Sequence, residues 1–191
     1  MTSKRNSDPL LDAARECVLS VGVGRTTLTD IAKRAGTSRM TVYRRYPGVT
    51  SVVAALMTRE FGELLANIDN RATTARRRLV DAAVEAARLL IADPLMRSVL
   101  DRDAELLLPY LVQRIGSTQR LAEKFVDEQL TAGHADGSVR RGHTEAQARM
   151  LFLTVQAVVV SHRPATSDIA DGDLLDELAI CLDHSLRPET P

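Results

Sequence analysis

Between positions 39 and 45 the chain reads Arg39, Met40, Thr41, Val42, Tyr43, Arg44, Arg45. Guanidinium groups donate in a fork that fits phosphate oxygens and the guanine edge. Hydroxyls donate to phosphate, and a thioether or a threonine methyl packs against the thymine methyl. If this stretch is a helix buried through Val42, the other six side chains are presented outward together. The chemistry they could perform is recognition of double-stranded DNA. The same residues on an ordinary solvated helix would read nothing, so the stretch requires a scaffold that aims it. Catalytic patterns are missing: the sequence holds no Gly-rich phosphate loop, no His-Glu-x-x-His, no paired-cysteine metal pattern and no Gly-x-Ser-x-Gly. His134, His143, His162 and His184 are scattered. No enzyme, cofactor or metal is expected.

The residues just upstream supply the scaffold. Thr27 stands three residues before Asp30, a capping-box-like helix start. Leu28, Ile31, Ala32 and Ala35 then face inward. Gly36 allows the left-handed backbone that ends one helix and turns into the next, and Thr37 or Ser38 can cap the second. Ala32, Gly36 and Val42 carry the spacing of a helix-turn-helix: a small residue where helices cross, a glycine at the turn, a branched residue locking the second helix onto the first. Before them, Ser7, Asp8 and Pro9 open a helix with Leu10, Ala14, Cys17 or Val18, and Val21 on one stripe, stopped at Gly22 and Gly24. Three helices complete the reader.

With that helix, the run TTLTDIAKRAGTSRMTVYRRYP, residues 26–47, resembles the N-terminal domain of the TetR family of one-component transcriptional regulators. The likeness extends from about residue 8 to about residue 60. It implies an all-α, homodimeric regulator that binds a palindromic operator and is most often a repressor released by a small effector. Residue by residue, it places Thr27, Tyr43 and Arg45 on phosphate, and Thr29, Arg39, Met40, Thr41 and Arg44 at or near bases; Ser38 joins the DNA-facing set. Three positions depart from the family pattern. Thr37 replaces an apolar residue after the turn, Arg45 stands where histidine is common, and Gly48 and Val49 replace a Ser-Lys pair, removing a phosphate-binding lysine that Arg45 partly restores.

The chain has 191 residues, 45% of them apolar, and no net charge. The first fifty residues nevertheless carry nine Lys/Arg against four Asp/Glu, so the basic end coincides with the reader and the remainder is acidic. The N-terminal tail with Lys4 and Arg5 is either unstructured or a phosphate or minor-groove contact. Cys17 and Cys181 lie at helical positions far apart, and no apolar run is long enough for a signal or membrane segment. A reducing cytoplasm and no membrane partner are expected.

After Pro47, Thr50 or Ser51 can cap a helix with Val53, Met57, Phe61, Leu64 and Ile68 on one stripe, over about 50–70, that connects two domains: 1–48 for DNA, 49–191 for effector binding and dimerisation. Further helices are expected over 74–93, after Asp93 and Pro94, and over about 117–131, with 101–115 broken into short pieces by Pro109. The run Arg76 to Arg78 reads as solvated surface, and 133–142 as a loop. Thr144 to Gln147 reads as a capping box before 150–160, which is apolar on nearly all sides. With 171–186, that helix is expected to form a homodimer through the last two helices, a four-helix bundle across a two-fold axis. About nine helices result.

The effector pocket draws on Met57, Phe61, Leu64, Leu90, Met96, Leu100, Tyr110 and Phe125, with Gln113, Gln156 and His162 as polar candidates. These suggest an apolar or amphipathic small molecule; Trp is absent and Phe and Tyr number six, so an aromatic cage for a cation is not supported. A DNA-organising protein without an effector and a helical module that never binds DNA remain the alternatives.

Overall fold

The computed structural model describes residues 8–68 and 71–188, so the expected contacts of Lys4 and Arg5 lie outside the described residues. Ten α-helices occur among them: α1 (Pro9–Val21), α2 (Leu28–Arg34), α3 (Arg39–Arg45), α4 (Val49–Asn67), α5 (Ala75–Ala92), α6 (Pro94–Arg102), α7 (Leu108–Val112), α8 (Ser117–Ala135), α9 (Thr144–Ala165) and α10 (Asp171–Leu186). A 3-10 turn, Ala104–Leu107, precedes α7. They form two compact units: one runs through Glu63 and includes Asp93–Thr118, the other takes Leu64–Ala92 and everything described from Gln119 onward.

In the first unit, α1 starts where the Asp8 carboxylate accepts from the Leu10 amide at 3.1 Å and Pro9 fills the first helical position. Its buried face, including Leu10, Ala14 and Val18, packs with Ile31, Val42, Val52, Leu56, Leu95 and Val99 into one apolar core. α6 lies along α1 and is tied to it by polar contacts in register. Arg15 reaches Asp93, the N-cap of α6, at 3.9 Å. Ser98 Oγ donates to the Val18 carbonyl at 3.4 Å. At the far end the buried Asp103 carboxylate accepts from the amides of Val23 and Gly24, both at 2.8 Å. That grip explains two glycines: a Cβ on Gly22 or Gly24 would meet an Asp103 oxygen at 3.0 or 3.1 Å, and Gly22 also has φ +82°. A charge network joins α1 to α4: Arg59 donates to Asp12 and Glu60, each at 2.7 Å, and Glu60 accepts from Arg15 at 3.3 Å. Burial works against the Arg59 charge, but these hydrogen bonds outweigh it and hold its pKa above the usual value.

The second unit packs α5 against α9 and α10. Leu79, Val80, Ala86, Leu151, Leu178 and Leu182 are buried there. Sequence expectation and structure differ at four boundaries. α4 already starts at Val49, so Thr50 and Ser51 lie inside it rather than capping it. α8 continues to Ala135, so Gly133 is helical rather than the start of a loop. Its missing side chain admits Val139, which a Cβ at that position would strike. α9 is capped by His143, whose Nδ1 accepts from the Ala146 amide at 3.4 Å, one position ahead of the expected capping box. α4 ends at Asn67, which leaves Ile68 beyond the helix. The arginine run is partly structural: Arg76 pairs with Asp183 at 2.9 Å and Arg78 donates to the Ala72 carbonyl at 3.1 Å, whereas Arg77 is the exposed member. Among the described residues no helix is long and apolar enough to cross a membrane.

The Asp103 grip yields a stability prediction. Asp103→Ala leaves the buried Val23 amide without an acceptor and should cost ~1–3 kcal/mol. Urea unfolding followed by circular dichroism would show a lower midpoint; an unchanged one would mean the loop does not depend on this carboxylate.

Candidate nucleic-acid interface

The turn between α2 and α3 is a Schellman closure. Gly36, at φ +63°, donates to the Lys33 carbonyl at 3.3 Å, and the Thr37 amide reaches back to Ala32 at 3.0 Å. The helices on either side start on hydroxyl caps. Thr27 Oγ1 accepts from the Asp30 amide at 3.1 Å and donates to its carboxylate. Ser38 Oγ accepts from the Thr41 amide at 3.1 Å and shares a 2.8 Å hydrogen bond with the Thr41 hydroxyl. Of the two candidate caps for α3, the structure uses Ser38.

Val42 is fully buried and Tyr46, the C-cap of α3, nearly so, which fixes the rotation of the helix. At about 100° per residue, Met40 and Arg44 then point directly away from the core. Arg39 and Tyr43 lie on one flank, and Thr41 and Arg45 on the other. Met40 is 76% exposed and Tyr43 52%, so the outward side of α3 offers a thioether and a phenol beside its guanidinium groups. Arg39 and Arg44 are exposed and make no hydrogen bond or ion pair among the described residues. Thr29 is half-buried on α2, and Thr41 is half-buried with its hydroxyl engaged by Ser38.

Arg45 is different. Its Nη1 donates to Asp8 Oδ1 at 3.2 Å, its Nη2 donates to Asp8 Oδ2, and its guanidinium lies 5.1 Å from the centre of the Tyr46 ring. Burial by itself would raise the Asp8 pKa. The Arg45 hydrogen bond and charge, with the Leu10 and Leu11 amides, outweigh it and hold the carboxyl below its usual value. Nothing in the sequence signalled this pairing, since the partners are 37 positions apart. Asp8 was legible only as a helix cap.

The residues expected around an effector fall in both units. Met57, Phe61, Met96, Leu100, Tyr110 and Gln113 belong to the first, and Leu64, Leu90, Phe125, Gln156 and His162 to the second. Met57 packs against the core of the first unit. Gln113 is an exposed C-cap of α7, Gln156 accepts from Gln119 at 2.9 Å, and His162 Nε2 lies 3.2 Å from Asp171. A groove along α1, α2 and the loop between them, lined by Cys17, Arg25, Asp30 and Lys33 among others, includes none of these residues.

Comparison with known proteins agrees with this geometry. Residues 10–56 match the family model described as bacterial regulatory proteins, tetR family. The chain is 36% identical over 180 residues to an HTH-type transcriptional regulator of Mycobacterium tuberculosis, covering 93% of this chain and 90% of the relative. Among solved structures, the fatty acid degradation regulator FadR from Bacillus halodurans superposes with a TM-score of 0.67 at 22% identity, covering 92% of this chain and 93% of the other. The transcriptional regulator FadR from Bacillus subtilis, in complex with stearoyl-CoA, gives a TM-score of 0.67 at 19% identity, covering 94% and 98%. These likenesses extend the shared fold over both units.

The depressed Asp8 pKa fixes a pH dependence. The stabilisation it contributes is present above the unfolded carboxyl pKa, about 3.9, and is lost as pH falls through the lower native value. Thermal midpoints of the wild type and Asp8→Asn should therefore differ at pH 6 and converge in strong acid; a constant gap would exclude Asp8 as the group responsible.

Proposed function

The chain belongs to the TetR family of bacterial regulatory proteins and is a DNA-binding transcriptional regulator, and from that premise we propose how its own residues do the work. The observation that carries the proposal is the outward face of α3, with Arg39, Met40, Tyr43 and Arg44 exposed on a helix locked by buried Val42. In this reading α3 enters the major groove. Arg39 and Arg44 donate to base edges, Met40 and the Thr41 methyl pack on thymine methyls, and Thr29 stands beside them. Thr27, Tyr43 and Arg45 hold phosphates, with Ser38 fixing the approach of the helix. Residues 1–48 make the DNA contacts, and 49–191 bind the effector and dimerise.

A second copy is the partner that doubles the reader. α9 exposes Met150 and Leu153 and α10 exposes Ile180, apolar side chains on helices whose other faces are already packed within the unit. Covering these faces with their symmetry mates gives a two-fold dimer through the last two helices. Two tethered readers then bind an inverted repeat far more tightly than one. The effector is a small apolar or amphipathic molecule that releases a repressor from its operator. The residues named for its pocket are mainly apolar, and the fold holds stearoyl-CoA in the Bacillus subtilis protein. Its occupancy must favour one spacing of the two readers over another. The free cysteines suit a cytoplasmic setting.

Selection of duplexes from a random pool tests the whole reading. Wild-type protein should enrich an inverted repeat. Arg39→Ala should lose preference at one or two base pairs per half-site, worth ~1–3 kcal/mol each; an unchanged preference would remove Arg39 from the bases. A gain-of-function test returns the missing charge one position before its place in the family pattern, because Val49, which stands at the lysine's position, packs against the core of the first unit. A Cβ on Gly48 meets nothing within 4 Å and its φ is not positive, so Gly48→Lys is sterically free. It should tighten binding to all sequences and steepen the salt dependence by about one phosphate contact. No change in slope would place this position away from the DNA backbone.

A further inference from the structure

The cations of the first unit are used unequally. Arg15, Arg34 and Arg59 each face a carboxylate, whereas Arg39 and Arg44 face solvent. Arg45 belongs to both groups. It sits on the exposed flank of α3 beside Thr41, yet both of its terminal nitrogens donate to Asp8. An arginine has five N–H donors, and this geometry occupies two of them, leaving the others free to reach an anion. The guanidinium side chain is half exposed and the Asp8 side chain is mostly covered, so the pair opens toward solvent on the arginine side.

We propose that Asp8 is an affinity-setting residue of the DNA interface: its carboxylate positions the Arg45 guanidinium and discounts the positive charge that the end of α3 offers to phosphate. The inference rests on the reading of α3 as the DNA-facing helix. Its physical basis is counterion release. Each fully cationic contact adds about 0.9 to the slope of log affinity against log salt. An arginine already neutralised by a carboxylate releases fewer counterions and adds less. Asp8 therefore lowers electrostatic attraction to any duplex while leaving base preference to Arg39, Met40 and Arg44. It does so from the N-cap of α1, where its backbone is fixed by the start of that helix. The same contact ties the end of the reading helix to the first helix of the unit, so Arg45 approaches phosphate from a held position.

The test is a double-mutant cycle with Asp8→Asn and Arg45→Gln, read by fluorescence anisotropy of a labelled mixed-sequence duplex over a range of salt concentrations. Asparagine keeps the helix cap, and thermal melts confirm that each variant folds. Asp8→Asn should bind roughly two- to five-fold more tightly at low salt. Its salt slope should steepen by up to about 0.9. Arg45→Gln should weaken binding to every duplex, by less than the loss of a fully cationic contact, and should abolish the gain of Asp8→Asn. Sequence preference in pool selection should be unchanged. Asp8→Asn binding that is weaker or unaltered in slope overturns the proposal. So does a gain that survives in the double variant, since it would then come from Asp8 repelling DNA directly. A wild-type protein that binds no duplex at any salt concentration overturns the DNA reading itself, a result separable from each of these.

Discussion

Seven residues are too few for a helix to hold itself in water, and both α2 and α3 have seven. Every other feature of the first unit answers that constraint. Hydroxyl caps satisfy the free amides at each start, and Gly36 in the left-handed region closes the turn without a frayed segment. Ile31, Ala32 and Val42 bury the inner faces against α1, α4 and α6. The order in α3 is thus borrowed from longer helices, and anything that shifts those helices shifts the side chains that α3 presents.

α6 has a particular place in this. Its N-cap faces Arg15, Ser98 at its middle touches the last turn of α1, and Asp103 at its end holds the amides just past α1. A helix fixed to another at both ends and in the middle moves with it as one body. The polar contacts add little net energy beyond what the apolar core contributes, since most exchange water for protein partners. Their effect is on register. Asp103 accepts from two amides that only a glycine-bracketed loop can bring together, so a slip of one residue along α1 would strand a buried carboxylate.

The local part of this architecture was legible in the sequence. Thr27, Gly36 and Val42 have roles set by neighbours three to six residues away, and helical periodicity exposes them. The outward position of Met40 and Arg44, with Arg39 and Tyr43 on one flank, follows once Val42 is buried. Long-range pairing was not legible. Gly22 and Gly24 read as helix stops, which they are, but the acceptor that requires them stands about 80 residues further on. Arg45 read as a free phosphate ligand because its partner Asp8 carries its own local explanation as a cap. A residue with one sufficient local role conceals a second. Likewise, a histidine at an N-cap is weakly preferred, so His143 was passed over for Thr144. The apolar residues chosen for a pocket could not be separated from core by pattern: Met57 lies on the expected stripe and packs into the core of the first unit.

In the second unit the same ambiguity resolves differently. The apolar run of α9 buries Ala148, Leu151 and Val159 and turns Met150, Leu153 and Ala157 outward. The outward set recurs at spacings of three and four and the buried set at three and eight, about two turns, so the helix has two apolar faces rather than one broad one. A single exposed methionine or leucine is ordinary on a protein surface. A second face at helical spacing on α9 is a larger apolar surface than one exposed side chain, and Ile180 adds an exposed apolar side chain on α10. Its partner need not be hydrophobic over the whole area. Asp173, Glu177 and His184 are also exposed on α10 and can form a polar rim. If the covering surface is a second copy, the strength of that contact multiplies into operator affinity, because dissociation of the pair separates the two readers. Substitutions at Met150 or Leu153 would then weaken DNA binding in proportion to protein dilution, without touching a base or a phosphate.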